Sequence, residues 1–187
     1  TPEQPPLVSI IIPTKDRLDL IARCMESILE KTSYGNYEIL VLDHESTDPP
    51  TVQYFKRLLP QERVRFVQVR GEFNYSKINN LGAKKAKGEI LLFLNNDIEV
   101  VDGEWLNEMV TQTIRPEIGC VGAKLLYPNN KVQHGGVIMG LGGVAGHSHK
   151  HFHADDPGYK HRLQLVQNYS AVTAACLSVR KSVFEEV

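Results

Sequence analysis

A chain of 187 residues with 42% hydrophobic and 23% charged residues has the make-up of a globular domain in water, long enough to bury about 70% of its extended surface without disulfide or metal staples. The formal charge of −1 removes any electrostatic argument for nucleic acid or an anionic lipid surface, so phosphate binding would have to be local. No apolar stretch approaches the roughly 18 residues of a membrane span, and the first residues do not read as a charged-then-apolar leader.

After a proline-rich lead (Pro2, Pro5, Pro6), Leu7 to Ile12 is a β-branched apolar run stopped by Pro13, which predicts a buried first strand. Asp16 is placed to cap a helix in which Leu18, Ile21, Cys24, Met25, Ile28 and Leu29 recur at helical spacing, with Gly35 beyond its end. Glu38 to Leu42 repeats the strand pattern and ends at Asp43. Asp48, followed by Pro49 and Pro50, opens a helix through about Leu59, and Arg63 to Val69 is a third strand. Ser76 is expected to cap a helix running to Lys87, with Gly88 in the left-handed position at its end. Ile90 to Leu94 follows as an uninterrupted apolar strand, then a helix around Glu104 to Ile114 and a strand from Ile118 to Leu126. This alternation predicts one α/β domain over 1–187, with right-handed βαβ units on a mostly parallel sheet flanked by helices. From Val137 the chain is rich in glycine and then histidine, and Ala171 to Val179 again reads as a buried strand.

Cys24, Cys120 and Cys176 are odd in number and set among apolar neighbours, which predicts buried reduced thiols and a cytoplasmic setting. The glycosylation-like triplets Asn74-Tyr75-Ser76 and Asn168-Tyr169-Ser170 are read as chance matches. The chain opens on Thr1 and stops at Val187 without a turn or cap signal, so it is expected to be a piece of a longer protein.

Ligands of parallel sheets gather at the carboxyl ends of the strands. Three polar segments meet that description: Pro13-Thr14-Lys15-Asp16-Arg17, Asp43-His44-Glu45-Ser46 and Asn95-Asn96-Asp97. The turn after the first strand has no glycine, which argues against a dinucleotide-binding oxidoreductase, and a P-loop is absent. A nucleotide could still bind: Asp43 can accept from a base N–H, Lys15, Arg17 or Lys77 can meet phosphate oxygens, and a divalent cation would bridge carboxylate and diphosphate.

Taken in order, Val8-Ser9-Ile10-Ile11-Ile12-Pro13-Thr14, Ile39-Leu40-Val41-Leu42-Asp43 with Ser46-Thr47-Asp48, Asn80-Leu81-Gly82, Lys87-Gly88-Glu89 and Phe93-Leu94-Asn95-Asn96-Asp97 resemble the signature of family 2 glycosyltransferases. The resemblance continues through Gly122-Ala123-Lys124-Leu125-Leu126, Gln133-His134-Gly135-Gly136 and Ala175-Cys176-Leu177-Ser178-Val179-Arg180, in the manner of bacterial members that build surface polysaccharides. It implies a GT-A, Rossmann-like fold, a UDP- or dTDP-sugar donor, inverting transfer to a glycan or lipid-linked acceptor, Mn2+ or Mg2+, and work in the cytoplasm at the inner membrane face. By matching position, Pro13, Thr14, Lys15, Arg17, Asp43, Ser46, Lys77 and Asn80 would surround the nucleotide. Asn95, Asn96 and Asp97 would lie beside the diphosphate, with Asp97 as metal ligand. Asn95 stands where the family's first carboxylate usually sits, and the segment bearing the general base would begin beyond Val187, truncating the domain on its C-terminal side. These two departures leave a non-catalytic nucleotide-sugar-binding module as the alternative to an enzyme.

Other polar residues have plainer readings. His147, His149, His151 and His153 alternate, so on an extended segment only two would share a side, and a solvated loop is expected rather than a zinc site. Asp155 and Asp156 precede Pro157-Gly158 in a turn. Lys84, Lys85 and Lys87 form the solvated side of a helix whose Ile78, Leu81 and Ala86 pack inward. His44 is either a base contact or a satisfied loop histidine, and His134 precedes a close backbone approach at Gly135-Gly136.

Overall fold

Apolar runs become the sheet and amphipathic runs cover it. The computed structural model describes residues 5–187; Pro2 of the proline-rich lead lies outside them. The elements are β1 (Val8–Thr14), α1 (Leu18–Lys31), β2 (Tyr37–Asp43), α2 (Pro49–Leu58), β3 (Val64–Gln68), α3 (Tyr75–Lys85), β4 (Ile90–Leu94) and α4 (Trp105–Thr113). Shorter pieces follow: β5 (Cys120–Gly122), β6 (Leu125–Leu126), β7 (Val132–His134), β8 (Val137–Met139), β9 (Ala145–His147), β10 (Cys176–Arg180) and α5 (Lys181–Glu186).

The main sheet has the order β3-β2-β1-β4-β10-β5. Its first four strands are parallel, as the alternation predicts, whereas β10 runs antiparallel between β4 and β5. Successive strand residues point to opposite faces, so each strand feeds two cores. Ile10, Ile12, Ile39, Val41 and Leu92 pack with Ile21, Met25 and Ile28 of α1, Phe55 of α2 and Leu106 of α4. Ile11, Leu40, Leu42, Leu91 and Phe93 pack with Ile78 and Ala83 of α3. Every residue of β2 and β4 is buried, the expected state of central parallel strands.

Several local readings change. Asp16 does not cap α1; Arg17 stands at the N-cap in a left-handed conformation without a side-chain capping bond, and Asp16 is used between loops. Asp48 does cap α2, accepting from the Thr51 amide at 3.1 Å. Asn74, not Ser76, caps α3, its Oδ1 accepting from the Lys77 amide at 2.9 Å, because an Asn in extended conformation at that point reaches the orphan N–H of the first turn. The helix ends at Lys85 with extended backbone at Ala86, and Gly88 is not left-handed. Gly88 is required by close approach instead: a Cβ there would lie 2.6 Å from both the Leu7 carbonyl oxygen and the Ser9 nitrogen.

The expected strand from Ile118 to Leu126 is broken in two. Cys120–Gly122 joins the main sheet and Leu125–Leu126 pairs with β7 in a separate hairpin. Cys24 and Cys176 are buried free thiols, pushed up to about 12 chiefly by burial, while Cys120 is exposed because β5 is the sheet's edge. Lys84, Lys85 and Lys87 are exposed, as expected. Among the described residues no helix is long and apolar enough to cross a membrane.

Candidate nucleotide-sugar site

The parallel register aligns Thr14 with Asp43 and Asp43 with Gln68, so β1, β2 and β3 finish level at one edge of the sheet. The loops leaving that edge are stitched to one another by side chains. Asp16 Oδ1 accepts from the amides of Thr47 (2.7 Å) and Asp48 (2.8 Å), and the Asp16 amide donates to Ser46 Oγ (2.8 Å). The Asp48 and Thr47 amides hold the Asp16 carboxyl below its usual range. Asp16, Arg17 and Glu45 all have left-handed backbone, a conformation that non-glycine residues keep only when their surroundings fix it. Asp43 Oδ1 accepts from the Ser46 amide (3.0 Å) and Oδ2 from Gln68 Nε2 (2.7 Å). Asn96 Nδ2 donates to Thr14 Oγ1 (2.9 Å), tying the end of β4 to the end of β1.

A cleft of about 260 Å³ opens over this edge, lined by Pro13, Thr14, Lys15, His44, Phe73, Tyr75, Ile78, Asn95 and Asn96. Five of the residues expected at the nucleotide therefore do converge. The others are arranged differently. Asp43 is buried behind the wall, with Ser46 bonded to it. Asp97 is exposed directly after Asn96. Lys77 and Asn80 are exposed on α3 and do not line the cleft. Arg17 turns away into a bidentate pair with Asp19 and lines a separate open depression beside Thr47 and Asp48.

Phe73, Tyr75 and Ile78 were not expected in the cleft. Tyr75 and Ile78 are three apart on α3 and so share a face, a spacing that places Tyr75 beside the buried Ile78 once the helix start is known. The Tyr75 hydroxyl sits 3.5 Å from both Asn95 Oδ1 and the Ala174 carbonyl oxygen.

The histidine-rich segment is not extended: His149 and His151 are left-handed, so it turns back on itself. Among the described residues no group of three His, Cys, Asp or Glu side chains could hold a metal ion. Asp156 accepts from the Gly158 amide at 2.7 Å in the expected turn. His134 is buried on β7 and its Nδ1 lies 2.9 Å from His147 Nδ1. Because the Thr173 amide donates to His134 Nε2, the proton of the neutral ring is on Nδ1 and is donated to His147.

Burial, with a smaller push from His147, lowers His134 to about 4. Its unfolded value is near 6.5, so the unfolded chain takes up a proton first as pH falls, and the stability this neutral ring contributes is full above pH 6.5 and drains away toward pH 4. Between pH 6.5 and 5 the loss should be about 1–2 kcal/mol. Urea unfolding of wild type and His134→Asn across that window checks it; parallel pH profiles would remove His134 as the cause.

A family profile described as glycosyl transferase family 2 matches residues 9–187, so the chain belongs to that family. It is 48% identical over 99% of its length to an uncharacterized protein, y4gI, of Sinorhizobium fredii, spanning 20% of that protein. It is 43% identical over 97% of its length to the O-antigen biosynthesis protein RfbC of Myxococcus xanthus, spanning 14% of it. The chain thus covers about a fifth or less of these two relatives. Among solved structures, a mannosyltransferase of Pyrobaculum calidifontis in complex with GDP-Man and Mn2+ superposes with a TM-score of 0.59 at 24% identity, over 69% of this chain and 38% of that one. S. aureus TarS 1-349 in complex with UDP superposes with a TM-score of 0.52 at 25% identity, over 63% and 35%. The fold is GT-A.

Proposed function

We propose that this domain binds a UDP- or dTDP-sugar and transfers the sugar, with inversion, to a glycan or lipid-linked acceptor during surface-polysaccharide synthesis. The observation that carries the reading is the cleft over the strand ends, where Thr14 and Asn96 are locked together beside Lys15 in a chain of this family. Thr14, Pro13 and the β2 end, with Asp43 behind it, serve the nucleoside. Lys15 at the rim and the Asn95-Asn96-Asp97 turn serve the diphosphate. The relation to an O-antigen biosynthesis protein supports the polysaccharide role, and UDP bound to a structural neighbour supports the donor class.

The residues fit a divalent cation held mainly by the donor's own phosphates, since this end of β4 offers one carboxylate, Asp97, flanked by neutral amides. When bound, Mn2+ or Mg2+ would neutralise charge gathering on the departing diphosphate. The chain's own part is to hold the donor still. In an inverting step an acceptor hydroxyl forms a bond to the anomeric carbon while the bond to the β-phosphate oxygen breaks, its electron pair leaving on UDP and the hydroxyl proton passing to a base. The cleft lining contains no carboxylate, which supports a base supplied from outside the cleft. Work on the cytoplasmic side of the membrane is part of the same proposal.

UDP and dTDP, with Mn2+, should raise the melting temperature of the chain in a concentration-dependent way, by about 2.7 kcal/mol of stability at a hundredfold excess over Kd. Adenosine diphosphate serves as the comparison. No shift with either pyrimidine nucleotide would overturn the reading; the 187-residue chain alone is expected not to turn over donor, and turnover by a longer form that includes the downstream segment, with an acceptor present, separates an enzyme from a binding module.

A further inference from the structure

We propose that His134, which does not itself line the cleft, is a positioning residue for the cleft's Asn95 end, acting through the segment Thr173-Ala174-Ala175; its effect on nucleotide binding rests on the reading above. His134 is buried on β7, and the Thr173 amide donates to its Nε2 at 3.4 Å. Within two residues the same segment reaches the cleft. The Ala174 carbonyl oxygen lies 3.5 Å from the Tyr75 hydroxyl, and the Ala175 carbonyl oxygen accepts from the Asn95 amide at 3.0 Å. Tyr75 and Asn95 both line the cleft, and His134 does not. The Ala175 amide donates to Thr173 Oγ1 at 3.3 Å, so the anchored residue and the one that meets Asn95 are tied to each other.

Val172 to Ala175 belong to no helix or strand and none of them is buried. A segment with so little buried surface keeps its place through a few hydrogen bonds, and each of them counts. At its outer end the Ala171 carbonyl oxygen accepts from the Val137 amide at 2.9 Å, and Thr173 is held by His134; at its inner end it meets β4 and α3. The histidine can accept from Thr173 only while Nε2 is bare. His147 Nδ1, 2.9 Å away, takes the proton on Nδ1 and so fixes that state. The other titratable groups nearby are engaged elsewhere: His149 Nδ1 and the Tyr169 hydroxyl lie 2.6 and 3.2 Å from Ser148 Oγ, and Lys124 donates to the carbonyl oxygens of Ala154 and Leu163. One ring nitrogen thus ties His134 to β9 and the other ties it to the segment that braces the cleft.

Two substitutions in the 187-residue chain test this. His134→Gln keeps a carbonyl oxygen within reach of the Thr173 amide, and His134→Leu fills similar space without one. Hydrogen exchange at the Thr173 and Asn95 amides, measured without nucleotide and relative to the amides of β2, should be about 10-fold faster in His134→Leu and within about 2-fold of wild type in His134→Gln. Calorimetry with UDP and Mn2+ should show an affinity loss of about 10-fold for the leucine variant that the glutamine variant restores. Coupling between two sites is reciprocal, so in labelled wild type UDP should slow exchange at Thr173 and move the His134 Nε2 resonance in nitrogen-15 NMR. If His134→Leu does not fold, this wild-type measurement decides alone. Wild-type exchange at Asn95 or wild-type affinity in His134→Leu, a glutamine variant that behaves like the leucine one, or a stationary Nε2 resonance on UDP binding would each overturn the role of His134 while leaving nucleotide binding intact. Wild type that binds no UDP would overturn the nucleotide reading instead, and the exchange comparison would still judge the anchor.

Discussion

Replacing Asp97 with alanine should weaken UDP binding about 10- to 150-fold when Mn2+ is present and change it little when the metal is chelated. The range is the affinity equivalent of losing an interaction of about 1.5–3 kcal/mol with a charged partner. Asp97 carries the only full negative charge in the Asn95-Asn96-Asp97 turn, and hard divalent cations choose anionic oxygen over amide oxygen. Its exposure also means that the substitution leaves no hole and no stranded partner in the core. Calorimetric titrations of both proteins, with Mn2+ and with chelator, decide the matter. Equal affinities in Mn2+ would take the metal away from this turn, and an equal loss under both conditions would make Asp97 a direct nucleotide contact instead.

Gly88→Ala should destabilise the fold by about 3 kcal/mol, near the top of the range for forcing extra atoms into a packed site. The added carbon would meet main chain, which cannot rotate away as a side-chain tip can. It would also press 2.8 Å from Ser9 Oγ, the hydroxyl that accepts from the Gly88 amide (2.8 Å) and donates to Glu38 Oε1 (2.7 Å). Glu38 is buried and further held by the Lys87 amide and by Arg65, each within 2.8 Å. Displacing Ser9 therefore disturbs a buried charge as well as a strand. Denaturant unfolding measures the loss; a change under about 0.5 kcal/mol, the usual size of a neutral surface substitution, would show that the two strands can separate at no cost.

How far the sequence could be read depended on whether one residue's surroundings or several decided its state. Val8 to Ile12, Ile39 to Leu42 and Ile90 to Leu94 are apolar throughout, so burial on both faces was legible from type alone. Asp16 and Asp48 are both good N-caps in isolation, but Asp16 is drawn off by the Thr47 and Asp48 amides, a choice that depends on a loop thirty residues away coming alongside. Ser76 and Asn74 compete for the start of one helix, and a two-residue shift in that start is beyond what propensity resolves. Gly88 reads in sequence as a left-handed helix end and in the structure as a close approach, since a glycine needed for a positive φ and one needed for tight contact look alike in sequence. Thr14, Lys15, Asn95 and Asn96 come together at the cleft because the strand ends that carry them are legible in the sequence. His44 remained ambiguous because its tautomer is fixed by the Gly71 carbonyl, whose position follows from the β3–α3 loop.

The place of β10 sets a timetable for making the molecule. Until Cys176–Arg180 arrives, the outer edge of β4 has no strand beside it, and β5 has nothing in the main sheet to pair with. An open strand edge of this kind can pair with other chains, and contacts that span the whole stretch from Asn95 to Ala175 form slowly because a long loop must first close. On the ribosome β1, β2, β3 and β4 emerge first and can raise the wall that carries His44. The Asn95 amide gains its bond to the Ala175 carbonyl oxygen only when the last strand slides in, so a half-made chain holds the Thr14 side of the cleft without the braced Asn95 side.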